Sequence, residues 1–111
     1  MTDKNIIIYD EASTTDGNGS DVVTNFSGES LIMEVLNDGT ATVKLQTLGK
    51  DGATYVDMRD LNRNVVTVVN RSERLPLQLE QGATVRAVIS GASGTPAVKV
   101  TLLRAGRRGV N

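Results

Sequence analysis

The sequence contains no cysteine, no histidine and no tryptophan. Without cysteine the fold has no disulfide, no thiolate nucleophile and no thiolate metal ligand. Without histidine it lacks the commonest general base and nitrogen ligand, and a Ser–His–Asp triad is excluded. We therefore expect a protein that is not an enzyme and that requires no cofactor.

Aromatic side chains and long apolar runs are scarce as well. Tyr9, Phe26 and Tyr55 are the only aromatic residues, and the net charge is −1. Stacking sites for bases need aromatic faces and usually a basic surface, so we expect no nucleic-acid partner despite the arginines between 59 and 74. No run approaches the roughly 20 apolar residues that cross a bilayer, and Ile6–Ile8 is too short for a secretory signal. We expect a protein made in a cytoplasm, without a membrane partner.

Charge is sorted along the chain. Residues 1–38 carry a net charge of −7, and residues 39–111 carry +6. Such asymmetry suggests an interaction surface, although simple solvation of two faces explains it equally well. The candidate protein-contact residues are Asp10, Glu11, Asp16 and Asp21 in the acidic part, and Arg104, Arg107 and Arg108 at the basic end.

Alternation of apolar and polar residues dominates the pattern. ATVKLQTL, TVRAVIS and AVKVTLLR each alternate with period two, which is typical of half-buried strands. SLIMEVL is ambiguous, but Asp38-Gly39 after it favours a strand followed by a tight hairpin turn with positive φ angles. Pro76 favours an edge strand in LPLQL, and VVTVV suits a strand covered on both sides. We predict an all-β sandwich or barrel with strands near 6–9, 20–24, 30–36, 41–48, 54–58, 65–69, 75–79, 84–90 and 97–103.

The two ends differ from this body. Residues 1–20 are predicted to be an N-terminal strand and a flexible arm or connector, since residues 10–20 are small, polar and glycine-bearing. Residues 6–9 could add as a strand to a neighbour's sheet edge. Residues 21–104 form the predicted sandwich domain, and residues 105–111 form a basic C-terminal tail.

In the stretch TTDGNGSD, a calcium loop that begins at Asp16 would have oxygen-bearing side chains at its first, third and fifth positions, which are Asp16, Asn18 and Ser20. The sixth position is not glycine and the twelfth is not glutamate, so a turn is the better interpretation and we expect no metal site. No pair of carboxyl groups shows the pattern of one buried and one solvated group that acid–base catalysis requires. Asp57 with Arg59, and Asp60 with Arg63, instead indicate exposed ion pairs.

The stretches SGESLIMEVLNDGTATVKLQTLGKDGATYVDM and LPLQLEQGATVRAVISGASGTPAVKVTLLR resemble the small capsid decoration (staple) proteins of tailed phages. The similarity covers roughly residues 27–104. Tyr55 stands where that family is expected to have Trp, and Val85 where an aromatic residue is common. The resemblance depends on the following positions: Leu45-Gln46, Asp51-Gly52, Tyr55, Leu79, Gly82, Arg86, Ser90-Gly91 and Leu103-Arg104.

This resemblance implies an antiparallel jelly-roll sandwich of about eight strands with an extended N-terminal arm. It implies a virion protein on the outer capsid surface that binds the major capsid protein, pairs as a homodimer and ties capsomers together. The alternative is a carbohydrate-binding adhesin module that is displayed on the virion, in which Tyr55 would stack on a sugar ring.

Overall fold

The chain folds into two antiparallel β-sheets packed face to face. A computed structural model describes residues 5–24, 30–60, 62–78 and 83–104, and within these ranges there is no helix that could span a membrane. This architecture confirms the predicted all-β sandwich. The described strands are β1 (Ile6–Glu11), β2 (Gly17–Asn18), β3 (Val22–Val23), β4 (Ser30–Asn37), β5 (Thr40–Leu48), β6 (Tyr55–Asp57), β7 (Thr67–Val69), β8 (Glu73–Gln78), β9 (Thr84–Ser93) and β10 (Val98–Arg104).

Most strands that are consecutive in sequence lie in different sheets. One sheet has four strands in the order β1-β10-β4-β8. The other has six, with β2-β9-β5-β6 along its path, β3 also paired with β9, and β7 also paired with β5. The edge position of β8 agrees with the prediction from Pro76, because proline cannot donate to a further strand.

Alternation along each long strand supplies the core. The predicted inward residues Ala41, Val43 and Leu45 of β5 are fully buried, and those of β9 and β10 are buried as well. The four-stranded sheet adds Leu31, Met33 and Val35 from β4. Burial of these side chains between two sheets is the main favourable contribution to folding.

One strand departs from its predicted environment. VVTVV was expected to be covered on both sides, but only Val66 and Val68 are buried, whereas Val69 is 43% exposed. The strand β7 has only three residues, and among the described strands it pairs with β5 alone. Its apolar run therefore reflects β-branched propensity as much as burial.

The turn at Asp38-Gly39 is not the predicted hairpin. The strands β4 and β5 that flank it lie in different sheets, and neither turn residue has a positive φ angle. The Gly39 amide donates to Asn37 Oδ1 at 3.0 Å, and Asn37 Nδ2 donates to the Ala41 carbonyl at 3.2 Å. An Asx turn at Asn37 thus redirects the chain from one sheet to the other.

Four such crossings lie at the same end of the sandwich: β1–β2, β4–β5, β7–β8 and β9–β10. Hydrogen bonds join them to one another. The Thr14 amide donates to the Pro96 carbonyl at 2.9 Å, and the Asn37 amide donates to Ser72 Oγ at 2.9 Å. These contacts give hydrogen-bond partners to backbone groups at the corners, where the chain is no longer paired in a sheet.

The N-terminal segment links the two sheets. From Ile6 onward, β1 pairs with β10 of the same chain, with Ile6 opposite Leu102. The chain then passes through the buried Thr14 and pairs again as β2, where Gly17 lies opposite Ile89 of the other sheet. The predicted arm therefore contributes one edge strand to each sheet.

Candidate functional site

Three of the predicted acidic contact residues lie together. Asp10 and Glu11 end β1, and Asp16 precedes β2. They line a groove of about 480 Å³ whose walls are residues 7–11 of β1 and residues 13 and 15–20 of the segment that follows. The open edges of the two sheets border this groove.

Asp16 also has a structural contact. Its Oδ1 accepts a hydrogen bond from the Ala92 amide at 2.8 Å, which ties the start of β2 to β9. Asn18, the second oxygen-bearing position of TTDGNGSD, lies in β2 opposite Val88. The stretch thus begins an edge strand, and among the described residues no group of three acidic side chains is placed to hold a metal ion.

Arg104, the basic contact residue that the structure describes, does not lie at this groove. Arg104 is the last residue of β10, while Asp10 and Glu11 pair near the first residues of that strand, Val98 and Lys99. Six residues of strand separate the two ends by about 20 Å. Arg107 and Arg108 lie outside the described residues.

The sorted charges are instead mixed by the fold. Glu34, from the acidic half, forms an ion pair with Arg74 from the basic half, with 2.7 Å between Oε2 and a guanidinium nitrogen. Asp10 lies opposite Lys99 across the β1–β10 pair. Part of the asymmetry along the sequence is therefore complementarity between strands of one sheet.

The ion pairs predicted near residues 57–63 are absent from this part of the structure. Asp57 accepts a hydrogen bond from Gln46 Nε2 at 3.0 Å instead of pairing with Arg59. Arg59 donates to the Arg63 carbonyl at 2.8 Å, and Asp60 accepts from backbone amides of its own turn. Local backbone donors satisfy Asp60 because the chain turns tightly here, with Arg63 at a positive φ angle.

A row of polar side chains crosses the outer face of the six-stranded sheet. Gln46 on β5 faces both neighbouring strands: its Nε2 donates to Asp57 of β6, and its Oε1 accepts from Arg86 Nε of β9 at 2.9 Å. Asp21 lies one step before the Val22–Val85 pair, which places it beside Arg86. We call these residues, together with Tyr55, the Tyr55–Arg86 row.

Tyr55, the first residue of β6, contacts Arg86 of this row. The Arg86 guanidinium carbon lies 3.6 Å from the centroid of the Tyr55 ring, which is cation–π contact distance. A hydrogen bond with the Asp21 carboxylate, together with partial desolvation and the Asp21 charge, raises the pKa of Tyr55 against the opposing effect of Arg86. The Arg86 guanidinium thus covers one face of the ring, and the nearby Asp21 carboxylate disfavours ionisation of the hydroxyl.

Sequence reasoning identified Tyr55 and Asp21 but not the row that joins them. Period two places Tyr55 and Asp57 on the same side of β6, which was available from the sequence. The opposition of Gln46 to both Asp57 and Arg86 depends on the registers of two separate strand pairs. Those registers are non-local, so no spacing in the sequence indicates them.

Large apolar side chains are exposed on the outer faces of both sheets. Ile7 and Leu36 are 51% and 47% exposed on the four-stranded sheet, and Val23 is 61% exposed on the six-stranded sheet. On the four-stranded sheet, Leu103, Ile32 and Pro76 also stand in one row across β10, β4 and β8.

No family model, no curated protein and no solved structure matches the chain.

Proposed function

We propose that this protein is a capsid decoration protein that binds the outer surface of an assembled phage head and ties neighbouring capsomers together. The observation that carries this proposal is the exposure of Ile7 and Leu36 on one outer face and of Val23 on the opposite one. A protein that joins two neighbours needs two separate contact surfaces on one body, and apolar patches are the usual core of such contacts.

A sandwich suits this task physically. Its two faces are held at a fixed distance by a shared core, so that movement of one bound capsomer is resisted through the other. Once the first face is bound, binding of the second is intramolecular and gains from a high effective concentration. Pairing of two copies about a two-fold axis on the head, with the major capsid protein as partner, would double the number of contacts.

The finer assignment of the fold is part of the same proposal. Counting β2 with β3, and β6 with β7, leaves eight strands that fall four to each sheet. The chain passes between the sheets at most of its connections. In this count of eight, the sheet β1-β10-β4-β8 contains the first, eighth, third and sixth strands, in that spatial order. This order supports a jelly roll, in which two Greek keys form the two sheets.

Cosedimentation with heads that lack the protein tests the function. We expect the wild type to bind such heads and to raise the temperature at which they release DNA. Ile7→Asp and Val23→Asp should each weaken binding, and the double variant should bind least, because each removes one face. Equal melting temperatures of the free variants provide the control. Failure of the wild type to bind heads would exclude the proposal.

A carbohydrate-binding module on the virion is the second candidate. The observation in its favour is the fixed ring of Tyr55, because sugar sites place a rigid aromatic ring under the sugar. Glycan-array binding by the wild type, lost in Tyr55→Ala, would support it. Binding to heads and to no glycan would favour decoration.

A further inference from the structure

The strand β1 forms an open edge of the four-stranded sheet. It pairs with β10 on one side, and among the described residues no strand pairs with it on the other. The groove lined by residues 7–11 and by residues 13 and 15–20 lies along β1, so that another strand has room to approach. A strand whose amides and carbonyls are unpaired along one side is a template for a further strand.

The other described edges are protected in ways that β1 is not. The edge strand β8 contains Pro76, and its Arg74 pairs with Glu34. On the six-stranded sheet, β2 and β3 have two residues each, and β6 and β7 have three.

Proline, charge, a bulge and shortness are the usual devices that keep sheet edges from pairing. The strand β1 has six residues, begins with three isoleucines and a tyrosine, and contains neither proline nor lysine. Of the usual devices it has only a bulge between Ile7 and Tyr9 and two acids at its end. Among the described edges, β1 is therefore the one best suited to accept a strand.

The charges at the two ends of this edge favour a second copy of the chain as the added strand. Asp10 and Glu11 form the acidic end. Lys99 lies opposite Asp10, but Glu11 lies opposite Val98 and so has no basic residue opposite it in β10. Arg104 ends β10 about 20 Å away. Two copies of β1 that pair antiparallel bring the acidic end of each to the basic end of the other.

The register within one chain makes this arrangement specific. Ile7 lies opposite Thr101, and because a bulge follows Ile7, Glu11 lies opposite Val98, three residues from Thr101 along β10. Arg104 is three residues from Thr101 in the other direction. A two-fold axis at Ile7 therefore places Glu11 of one copy level with Arg104 of the other, two strand spacings or about 10 Å apart. The symmetry repeats this contact on the far side of the axis.

The same axis covers an exposed apolar side chain. Ile7 is 51% exposed, and at the axis it lies beside Ile7 of the second copy. A basic peptide from another protein would also attract the acids at the end of β1. Only a second copy repeats both charge contacts and closes the assembly, because each β1 edge is then used once.

We propose that two copies of this protein pair antiparallel through β1, about a two-fold axis near Ile7, which joins their four-stranded sheets into one continuous sheet. This inference rests on the proposed function in that it names the surface for the pairing of copies on the head. The pairing itself takes place in solution and requires no capsid protein.

Disulfide cross-linking tests the position of the axis, because the chain contains no cysteine. Ile7→Cys places two thiols beside each other and should give a disulfide-linked dimer on mild oxidation, since a disulfide needs Cα atoms within about 7 Å. Val23→Cys is the matched control, because Val23 is also exposed and lies in an edge strand of the other sheet. It should stay monomeric on a denaturing gel. Equal cross-linking of the two variants would overturn the axis.

Sedimentation velocity measures the pairing without a cross-link. Wild type should sediment as a dimer that dissociates on dilution. Ile7→Lys should be monomeric, since a charge at the edge opposes pairing, whereas Val23→Lys should pair as wild type does. Circular dichroism shows whether each variant is folded.

A charge exchange tests the antiparallel register separately. Glu11→Arg and Arg104→Glu should each weaken the dimer by about threefold or more, because each leaves two like-charged contacts. The double variant should recover the wild-type affinity, since the exchanged charges meet again across the axis. Additive losses in the double variant would overturn the register.

The outcomes separate this interface from the function. A wild type that remains monomeric at every concentration would overturn the interface, whether or not the protein binds heads. A dimer that Ile7→Lys and the two charge variants leave intact would overturn β1 as its surface. A dimer that behaves as proposed but does not bind heads would support the interface and exclude decoration.

Discussion

Asp38 and Ala97 each donate a hydrogen bond to the other. The Asp38 amide donates to the Ala97 carbonyl at 3.2 Å, and the Ala97 amide donates to Asp38 Oδ1 at 2.8 Å. This pair joins the β4–β5 corner to the β9–β10 corner, which are distant in sequence. The end of the sandwich where the sheets exchange strands is therefore held by specific polar contacts in addition to the core.

Asn37→Ala should destabilise the protein by about 1–3 kcal/mol, the usual range when a buried group loses its partner. The side chain is only 8% exposed, and it serves the Gly39 amide and the Ala41 carbonyl. Chemical denaturation would measure the change. Asn62→Ala, in an exposed turn, is the control and should cost less than about 0.5 kcal/mol. Equal effects of the two substitutions would contradict this account of the corner.

Gly39→Ala should also destabilise the fold, by about 1 kcal/mol, through crowding and not through backbone strain. A Cβ at Gly39 would lie 3.0 Å from Pro96 Cβ, whereas its φ angle is one that alanine accepts. Denaturation of Gly39→Ala in the wild-type and Pro96→Ala backgrounds would isolate the contact. We expect a smaller cost in the second background. A stabilising Gly39→Ala would show that Pro96 moves aside freely.

The sequence predicted the long strands well because each alternates against a single core. Val85, Ala87 and Ile89 were assigned inward, and all three are buried. The corner at Asp38-Gly39 was missed because the signal for a tight turn is local. Whether the strands on either side of a turn pair with each other, or with strands far away in sequence, depends on the whole fold.

The candidate site was predicted less completely than the fold. Tyr55 and Asp21 were each identified, but the proximity by which Asp21 raises the pKa of Tyr55 brings the end of the acidic segment to β6. The strands β2 and β3 have two residues each, which is too few for any period to be visible. Short edge strands of this kind are defined by their partners, so only the tertiary structure shows where they place a side chain.

Glu34 and Arg74 should show a small coupling free energy of about 0.2–1 kcal/mol in a double-mutant cycle to alanine. The pair joins β4 to β8 across the outer face, but the Arg74 side chain is 65% exposed. Denaturation of the single and double variants at low and high salt would measure the coupling, which should fall as salt rises. Arg71 and Glu73, close in sequence and also paired, provide a local comparison that should couple no more strongly. A coupling that is unaffected by salt would contradict a screened surface pair.

Asp51 should titrate well below an ordinary aspartate. Its side chain accepts hydrogen bonds from the Thr54 hydroxyl at 2.6 Å and from the Thr54 and Ala53 amides at 2.9 Å each, which lower its pKa from 3.8 to about 2. Because the folded pKa is lowered, the carboxylate favours the folded turn above about pH 4. That contribution is lost as the pH falls through about 2. NMR titration of the Asp51 carboxyl carbon would measure the midpoint. Thr54→Val removes the hydroxyl donor and should move the midpoint upward, whereas a wild-type midpoint near 3.8 would show that the carboxylate does not hold this turn.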